Sequence, residues 1–189
     1  MGARIAAAQP PYTEAVQGWL ERVMPPGAAP LALFTTMARD ERLFQRFFAG
    51  ALLDRGNLTI RQREIVIDRT TARCGSEYEW GVHVAFFAQR AGFTPEHLQS
   101  LVHGSAGDAC WSDAEKLLID LCDELHETAT VSEALWKALR AHYSEEAMLE
   151  LVMLAGLYRM VSYLTNAVAL PLESYSARFP MAPQALPAG

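Results

Sequence analysis

The sequence predicts an all-α protein, and three observations carry that reading. Apolar residues recur at helical spacing along most of the chain. Period-two alternation of β-branched residues never persists beyond a few positions. Cap signals stand where the periodic segments begin and end. The expected helices cover about 13–23, 31–38, 40–55, 60–73, 76–91, 95–103, 113–126, 132–141 and 145–170, with Gly156 and Ser162 as the points where the last could break. Thr59 with Gln62, and Ser112 with Glu115, have the spacing of capping boxes, in which each side chain satisfies an orphan amide of the first turn. Thr94 before Pro95 reads as an N-cap followed by proline at the first helical position. Gly92 and Gly104 stand where a left-handed C-cap residue is wanted. Residues 1–12 and 172–189 read as extended tails. The second holds Pro180, Pro183 and Pro187, cannot stay helical, and is expected to wrap the surface or a neighbouring subunit.

A chain of 189 residues reads as a single helical domain over 1–189, large enough to bury roughly 70% of its unfolded surface. Hydrophobic residues make up 51% and charged residues 20%, the composition of an ordinary folded protein. A net charge of −6, with no long run of Lys or Arg, supplies none of the positive field that phosphate backbones require, so neither nucleic acid nor membrane is an expected partner. Residues 1–30 lack the apolar segment of a secretory signal, and the longest apolar run, Leu151 to Tyr158, falls short of the ~20 residues of a membrane span. Cys74, Cys110 and Cys122 are odd in number and have neither a CxxC nor a metal-type spacing. That pattern points to a reducing cytoplasm, with Cys110 and Cys122 as packing residues.

Sliding the chain by 86 residues sets Glu64 against Glu150 and Ser76 against Ser162, while Glu79 and His83 fall opposite Thr165 and Ala169. Two pseudo-repeated halves, or chance likeness between two apolar helices, both account for this match.

The stretch CGSEYEWGVHVAFF, Cys74 to Phe87, carries the candidate site. Residues three, four and seven apart share a helix face, so Ser76, Glu79 and His83 align with Phe86 and Phe87 close by, beside an apolar stripe of Trp80, Val84 and Ala88. A carboxylate and an imidazole set into such a surface titrate as a unit near neutral pH, as acid–base work requires. The same spacing also fits an ordinary Glu–His pair on a solvated face. Glu64 shares a face with Ile60, Ile67 and Thr71, and a carboxylate buried there needs a partner; Arg61 and Arg69 are the candidates for a plain ion pair. His97, His103, His126 and His142 are scattered and form no metal-ligand set, and there is no phosphate loop or GxSxG elbow. Trp111, Trp136 and the cluster Phe44, Phe47 and Phe48 read as core or subunit interface.

Through Glu64, Ser76, Glu79 and His83, the segment REIVIDRTTARCGSEYEWGVHVAFFAQRAGFTPEHL resembles the carboxymuconolactone decarboxylase family and its alkylhydroperoxidase D-like relatives, over about residues 60–100. The resemblance implies an AhpD-like helical bundle that assembles as a homo-oligomer, trimer or hexamer, with sites near subunit contacts and with no cofactor and no metal. The alkylhydroperoxidase branch places a glutamate before a CxxC whose second cysteine lies four residues ahead of a histidine. Here Glu64 and His83 match, but Ser76 and Glu79 occupy the cysteine positions, so the thiol–disulfide cycle cannot run through the usual pair. The decarboxylase branch is similar to this sequence in carrying YEW with the histidine and no cysteine pair.

The resemblance therefore implies a lyase: decarboxylation or proton transfer on a small carboxylated, lactone-like substrate. His83 would be the main proton donor or acceptor, Glu79 would orient and polarise it, Glu64 would be a second carboxylate, and Ser76, Tyr78 and Trp80 would shape the pocket. Arg69 or Arg73 could grip a substrate carboxylate or serve in surface pairing. Two alternatives stand beside this one. The first is an antioxidant peroxidase using Cys74 and an external thiol, where a helix N-terminus and Arg73 would lower the thiol pKa. The second is a non-enzymatic helical oligomeric binding module.

Overall fold

The computed structural model describes residues 2–52 and 54–182, and helices with no strand make up its regular structure among them. In chain order they are α1 (Glu14–Val23), α2 (Ala32–Met37), α3 (Glu41–Ala49), α4 (Ile60–Arg73), α5 (Glu77–Ala91), α6 (Pro95–His103), α7 (Asp113–Thr128), α8 (Glu133–Arg140) and α9 (Glu145–Val168). Cap chemistry sets most of the starts. The boxes at Thr59–Gln62 and Ser112–Glu115 form, Thr94 forms one with His97, and α5 ends at Gly92 in the left-handed conformation (φ 69°).

Three local expectations are corrected. α3 stops at Ala49 rather than at 55. Beyond Gly50 the chain is drawn off the helix axis, because Glu150 holds the backbone and side-chain amides of Asn57 at 2.7 and 2.9 Å. Gly104 is extended (φ −99°, ψ −157°) rather than left-handed. Glycine is needed there for space, since a Cβ would run into the carboxylate of Asp108 and the side chain of Ser100. α9 runs unbroken through Gly156 and Ser162, whose hydroxyl donates back to the Tyr158 carbonyl at 2.7 Å. The 86-residue offset therefore sets a helix–turn–helix against one continuous helix, and the two stretches are not structural equivalents.

α4 is the centre of the bundle and packs against α5, α6, α7 and α9. Ile65, Val66 and Ile67 meet Leu118 and Leu121 of α7 and Leu151 and Leu154 of α9 in the main core. A second cluster joins α2, α5 and α9 through Leu33, Tyr78, Val82 and Val161, and a third joins α1 and α3 through Val16, Leu20, Phe44 and Phe48. α9 is long and apolar enough to cross a membrane by length and composition, more so than its longest apolar run suggests, yet its inner face lies in the core.

The central helix is also polar, and every residue from Glu64 to Thr71 is buried. Its charges are consequently tied to neighbours. Arg69 grips Asp123 of α7 with two bonds, at 2.8 and 2.6 Å, and caps the end of α6 by donating to the carbonyls of Ser100, Leu101 and Gly104. Arg61, the other proposed partner of Glu64, pairs instead with Glu115.

After α9 the chain turns back as a strap over its own α5 and α6. Glu173 accepts from the Tyr78 hydroxyl and the Ala32 amide, both at 2.6 Å. The Ala177 amide donates to the Gly81 carbonyl at 3.0 Å, Phe179 stacks at a tilt on Trp80, and the Pro180 carbonyl meets His103 Nε2 at 2.7 Å. Gly81 permits this crossing, because a Cβ there would collide with the Ala177 carbonyl oxygen. The remaining tail residues, Pro183 and Pro187 among them, lie outside the described residues.

Arg69→Met should destabilise the fold by about 3 kcal/mol, a fall of roughly 6–12 °C in Tm, because it leaves three carbonyls without their donor and Asp123 with only its longer contact to Arg73. Thermal unfolding followed by circular dichroism reads this directly. A shift within about 1 °C would mean that the Arg69 lock contributes little.

Candidate functional site

Two helices build the site. α4 presents Glu64 and, one turn on, Asp68; α5 presents Glu79 and His83, also one turn apart. The antiparallel pair is joined by the short turn at Cys74–Ser76, so the two polar faces meet in the interior. Glu64 is fully buried, and Asp68, His83 and Glu79 nearly so. His83 Nδ1 lies 2.7 Å from Glu64 Oε2, and its Nε2 lies 3.6 Å from Glu79 Oε1. Glu64 is therefore the close partner and Glu79 the loose one, since 3.6 Å is beyond hydrogen-bond range. Arg63, absent from the sequence expectations as a partner, approaches Glu64 Oε1 at 3.3 Å. The Tyr158 ring meets the imidazole edge to face at 4.9 Å.

The electrostatics favour a charged imidazole. Burial by itself would lower the His83 pKa, but the hydrogen bond to Glu64 and the negative charge of Glu64 and Glu79 beside the ring outweigh it and raise the value to about 10. Both ring nitrogens face carboxylate oxygens, so an imidazolium with two N–H donors satisfies the geometry that neither neutral tautomer can. Asp68 is driven the other way in charge. Burial, followed by repulsion from Glu64, pushes its carboxyl well above the ordinary range, toward the neutral form. Burial likewise pushes the Tyr158 phenol up.

Glu79 and His83 open onto a cavity of about 290 Å³ with mainly aromatic and aliphatic walls, among them Phe34, Phe47, Phe86, Phe87, Leu157 and Tyr158. Glu79 Oε2 is buried with no hydrogen-bond partner among the described residues. Arg90 stands at the exposed edge of the cavity with its guanidinium over the Phe87 ring. Aromatic walls and a small number of polar groups at one end are the ordinary constitution of a small-molecule site.

The expected site residues divide. Glu64, Glu79 and His83 come together. Ser76, Tyr78 and Trp80, expected to shape the pocket, do not line this cavity. Ser76 pairs with Thr165 at 2.8 Å, Tyr78 donates to Glu173 and accepts from the Leu33 amide at 3.1 Å, and Trp80 is covered by Phe179 of the strap. Each is drawn away by a stronger structural engagement.

Cys74 also lies off the cavity. It forms the C-cap of α4 rather than leading α5, its Sγ is 3.9 Å from His126 Nδ1, and burial raises its thiol pKa despite Arg159 and Arg73. The thiol is thus less acidic than the sequence reading expected. Arg69 and Arg73, proposed for a substrate carboxylate, are taken by Asp123, with Arg73 also on Glu127. Sequence reading missed Asp68, Tyr158 and Arg90. Asp68 was signalled by its place four residues after Glu64, and Arg90 by its place seven after His83.

Residues 41–119 match the model of the carboxymuconolactone decarboxylase family, which bears out the family resemblance over a segment containing Glu64, Glu79 and His83. An uncharacterized peroxidase-related protein from Silicibacter sp. TM1040 superimposes with a TM-score of 0.79 at 18% identity, over 94% of this chain and 96% of that one. A second peroxidase-related protein, with an alkylhydroperoxidase AhpD core, from Ralstonia eutropha JMP134, gives 0.70 at 16% identity, over 91% and 93%. The debrominase Bmp8, solved in complex with 2,3,4-tribromopyrrole, gives 0.68 at 17% identity, over 93% and 94%. At these identities the likeness establishes an AhpD-like all-α fold. No curated protein matches the sequence.

The His83 shift has a definite sign. A pKa raised from about 6.5 in the unfolded chain to about 10 in the folded one stabilises the fold fully below the unfolded value, and this stabilisation is lost as pH rises through the folded one. The raised Asp68 value acts in the same sense. Tm should therefore fall between pH 7 and pH 10, more steeply in the wild type than in His83→Gln, and the His83 imidazole resonances should still report the protonated ring at pH 8. A neutral ring at that pH would overturn this account.

Proposed function

We propose that the chain is a cofactor-free acid–base enzyme acting on a small, mostly apolar substrate that carries one anionic group. The observation that carries this reading is His83, a buried imidazole between two carboxylates that opens onto an apolar cavity. Glu64 holds Nδ1 and fixes the ring. Nε2–H points to the cavity end and is the proton donor. Glu79, with one oxygen uncommitted, receives a donor group on the substrate or takes a proton from it. This reverses the two carboxylates' roles relative to the sequence expectation, because the tighter contact belongs to Glu64. Arg90 offers the cation that an anionic substrate meets on entry.

Decarboxylation or double-bond migration of a carboxylated lactone-like compound suits this arrangement. As carbon dioxide leaves, the electron pair of the broken C–C bond stays on the substrate as a dienolate. The dienolate carbon takes the Nε2 proton, and water restores it to the ring. No outside oxidant or reductant is required. The match to the decarboxylase family supports this class, and the free cysteines suit a cytoplasmic setting. The likeness to peroxidase-related proteins and the Cys74–His126 contact favour peroxide reduction as the second reading.

A panel of carboxylated lactones followed by NMR in heavy water should show decarboxylation or deuterium uptake. His83→Gln should reduce turnover by at least about 10²-fold with unchanged helix content, and Glu79→Gln should also impair it. Turnover retained in His83→Gln would sink the role. Peroxide consumption with an external dithiol that vanishes in Cys74→Ser would make the second reading the right one.

A further inference from the structure

Three tyrosines are buried among the described residues, and two of them have their hydroxyls committed to the fold. Tyr78 donates to Glu173 and accepts from the Leu33 amide, and Tyr143 donates to the Ala114 carbonyl at 3.1 Å. Tyr158 differs. Its hydroxyl has no hydrogen-bond partner among the described residues, yet it is not one of the sealed polar atoms that lack a partner, namely Asp68 Oδ1, Thr70 Oγ1, Glu79 Oε2 and Trp80 Nε1. It therefore borders open space, and the space that Tyr158 lines is the cavity. A buried tyrosine ordinarily finds a partner for its hydroxyl, so this one is left for a molecule that enters.

The ring is held where such a hydroxyl can act. Tyr158 lies within unbroken α9, its carbonyl taken by the Ser162 hydroxyl at 2.7 Å. Its ring meets the His83 ring edge to face at 4.9 Å, which puts it at the polar end of the cavity with His83 and Glu79. Burial, then the charges of Glu79 and Glu64, push its phenol up, so the group remains a donor even against an anion. That end of the cavity thus presents a proton on His83 Nε2, a bare acceptor at Glu79 Oε2, and a neutral donor on Tyr158. Acid–base chemistry at His83 and Glu79 uses the first two and leaves the third without a task. When carbon dioxide leaves, the electron pair on the substrate spreads from carbon to the conjugated carbonyl oxygen. A donor already in place at that oxygen lowers the barrier, because it needs no rearrangement as the charge forms. His83 is engaged with the carbon, and Arg90 stands at the exposed edge.

We propose that Tyr158 is a further catalytic residue, whose hydroxyl donates a hydrogen bond to the enolate oxygen of the substrate while His83 protonates the carbon. This rests on the acid–base reading of the site. The C–C bond to the departing carboxylate breaks, the C–H bond forms with the Nε2 proton, and the Tyr158 proton stays on its own oxygen throughout. The substrate class narrows accordingly: the carboxylate that leaves is conjugated, directly or through a double bond, with a carbonyl group.

Tyr158→Phe keeps the ring and removes only the hydroxyl. Its Tm should lie within about 1 °C of the wild type, since no bond within the protein is lost. With a lactone that the wild type turns over, kcat should fall roughly 10²-fold with little change in KM. Binding of 4-nitrophenol, whose visible absorbance reports its ionised form, needs no turnover and mimics the enolate. The wild type should hold the phenolate about tenfold more tightly than Tyr158→Phe does. An unchanged kcat, phenolate binding that is absent or equal in the two proteins, or a Tm lowered by several degrees, which would make the hydroxyl structural, would each overturn the proposal. Phenolate binding that depends on Tyr158 in a protein that turns over no lactone would refute the acid–base reading and leave Tyr158 assigned as the oxyanion donor.

Discussion

The 2.7 Å contact between His83 and Glu64 is the constraint from which the rest of the arrangement follows. A carboxylate at zero exposure on the central helix is costly unless it is paired and hydrogen-bonded, and a buried imidazole is costly in the same way. Placing one against the other fixes how α5 lies along α4. The same logic runs further along α4. Arg69 is satisfied by Asp123 and by the carbonyl end of α6, which fixes α6 and α7, whereas burial shifts Asp68 toward its neutral form. A helix that is polar yet surrounded by four others can persist only if its charges are matched in this residue-by-residue way. Apolar packing supplies the bulk of the burial, and the polar contacts select one register of the helices over its neighbours.

Most of the helical architecture was legible because helix ends are written locally. Thr59, Ser112 and Thr94 each act within their own first turn, so nothing distant can overrule them. Where the expectation failed, a distant residue decided. α3 ends early because Glu150, nearly a hundred positions on, holds Asn57. Gly104 is a different case: it is extended, and a glycine stands there because Ser100 and Asp108, four residues to either side, leave no room for a Cβ. The site was legible to the same degree. Helical spacing could place Glu79 beside His83, and the resemblance could bring Glu64 to them. Neither could rank the two carboxylates by distance, because that depends on the rotation of α4 against α5.

The pocket was the least legible part. Ser76, Tyr78 and Trp80 share the motif but not the cavity: Tyr78 and Trp80 face the strap at Glu173 and Phe179, and Ser76 faces Thr165 of α9. The walls come instead from Phe34 of α2, Phe47 of α3, and Leu157 and Tyr158 of α9. Phe47 reads as core or interface in the sequence, and Phe34, Phe47 and Leu157 are partly buried around the space they leave, with Tyr158 buried behind it. Apolar residues carry no local signal that separates a filled interface from one left open.

The departure from the two-cysteine pattern takes on a physical meaning in this setting. Of the two positions, Ser76 has become structural, its hydroxyl tied to Thr165, while Glu79 remains at the cavity with one oxygen bare. A thiol there would sit beside a protonated imidazole and be drawn toward thiolate, a nucleophile. A carboxylate there instead adds a second negative neighbour to His83, raises its pKa and holds its proton. The exchange of one side chain thus turns, on the proposed reading, the same glutamate–histidine pair from a partner of sulfur chemistry into a store for a proton. On the proposed reading, the apolar walls then have their own part to play. A substrate that fills the space between them displaces water from Nε2 while it is bound and is then the nearest base to which that proton can go.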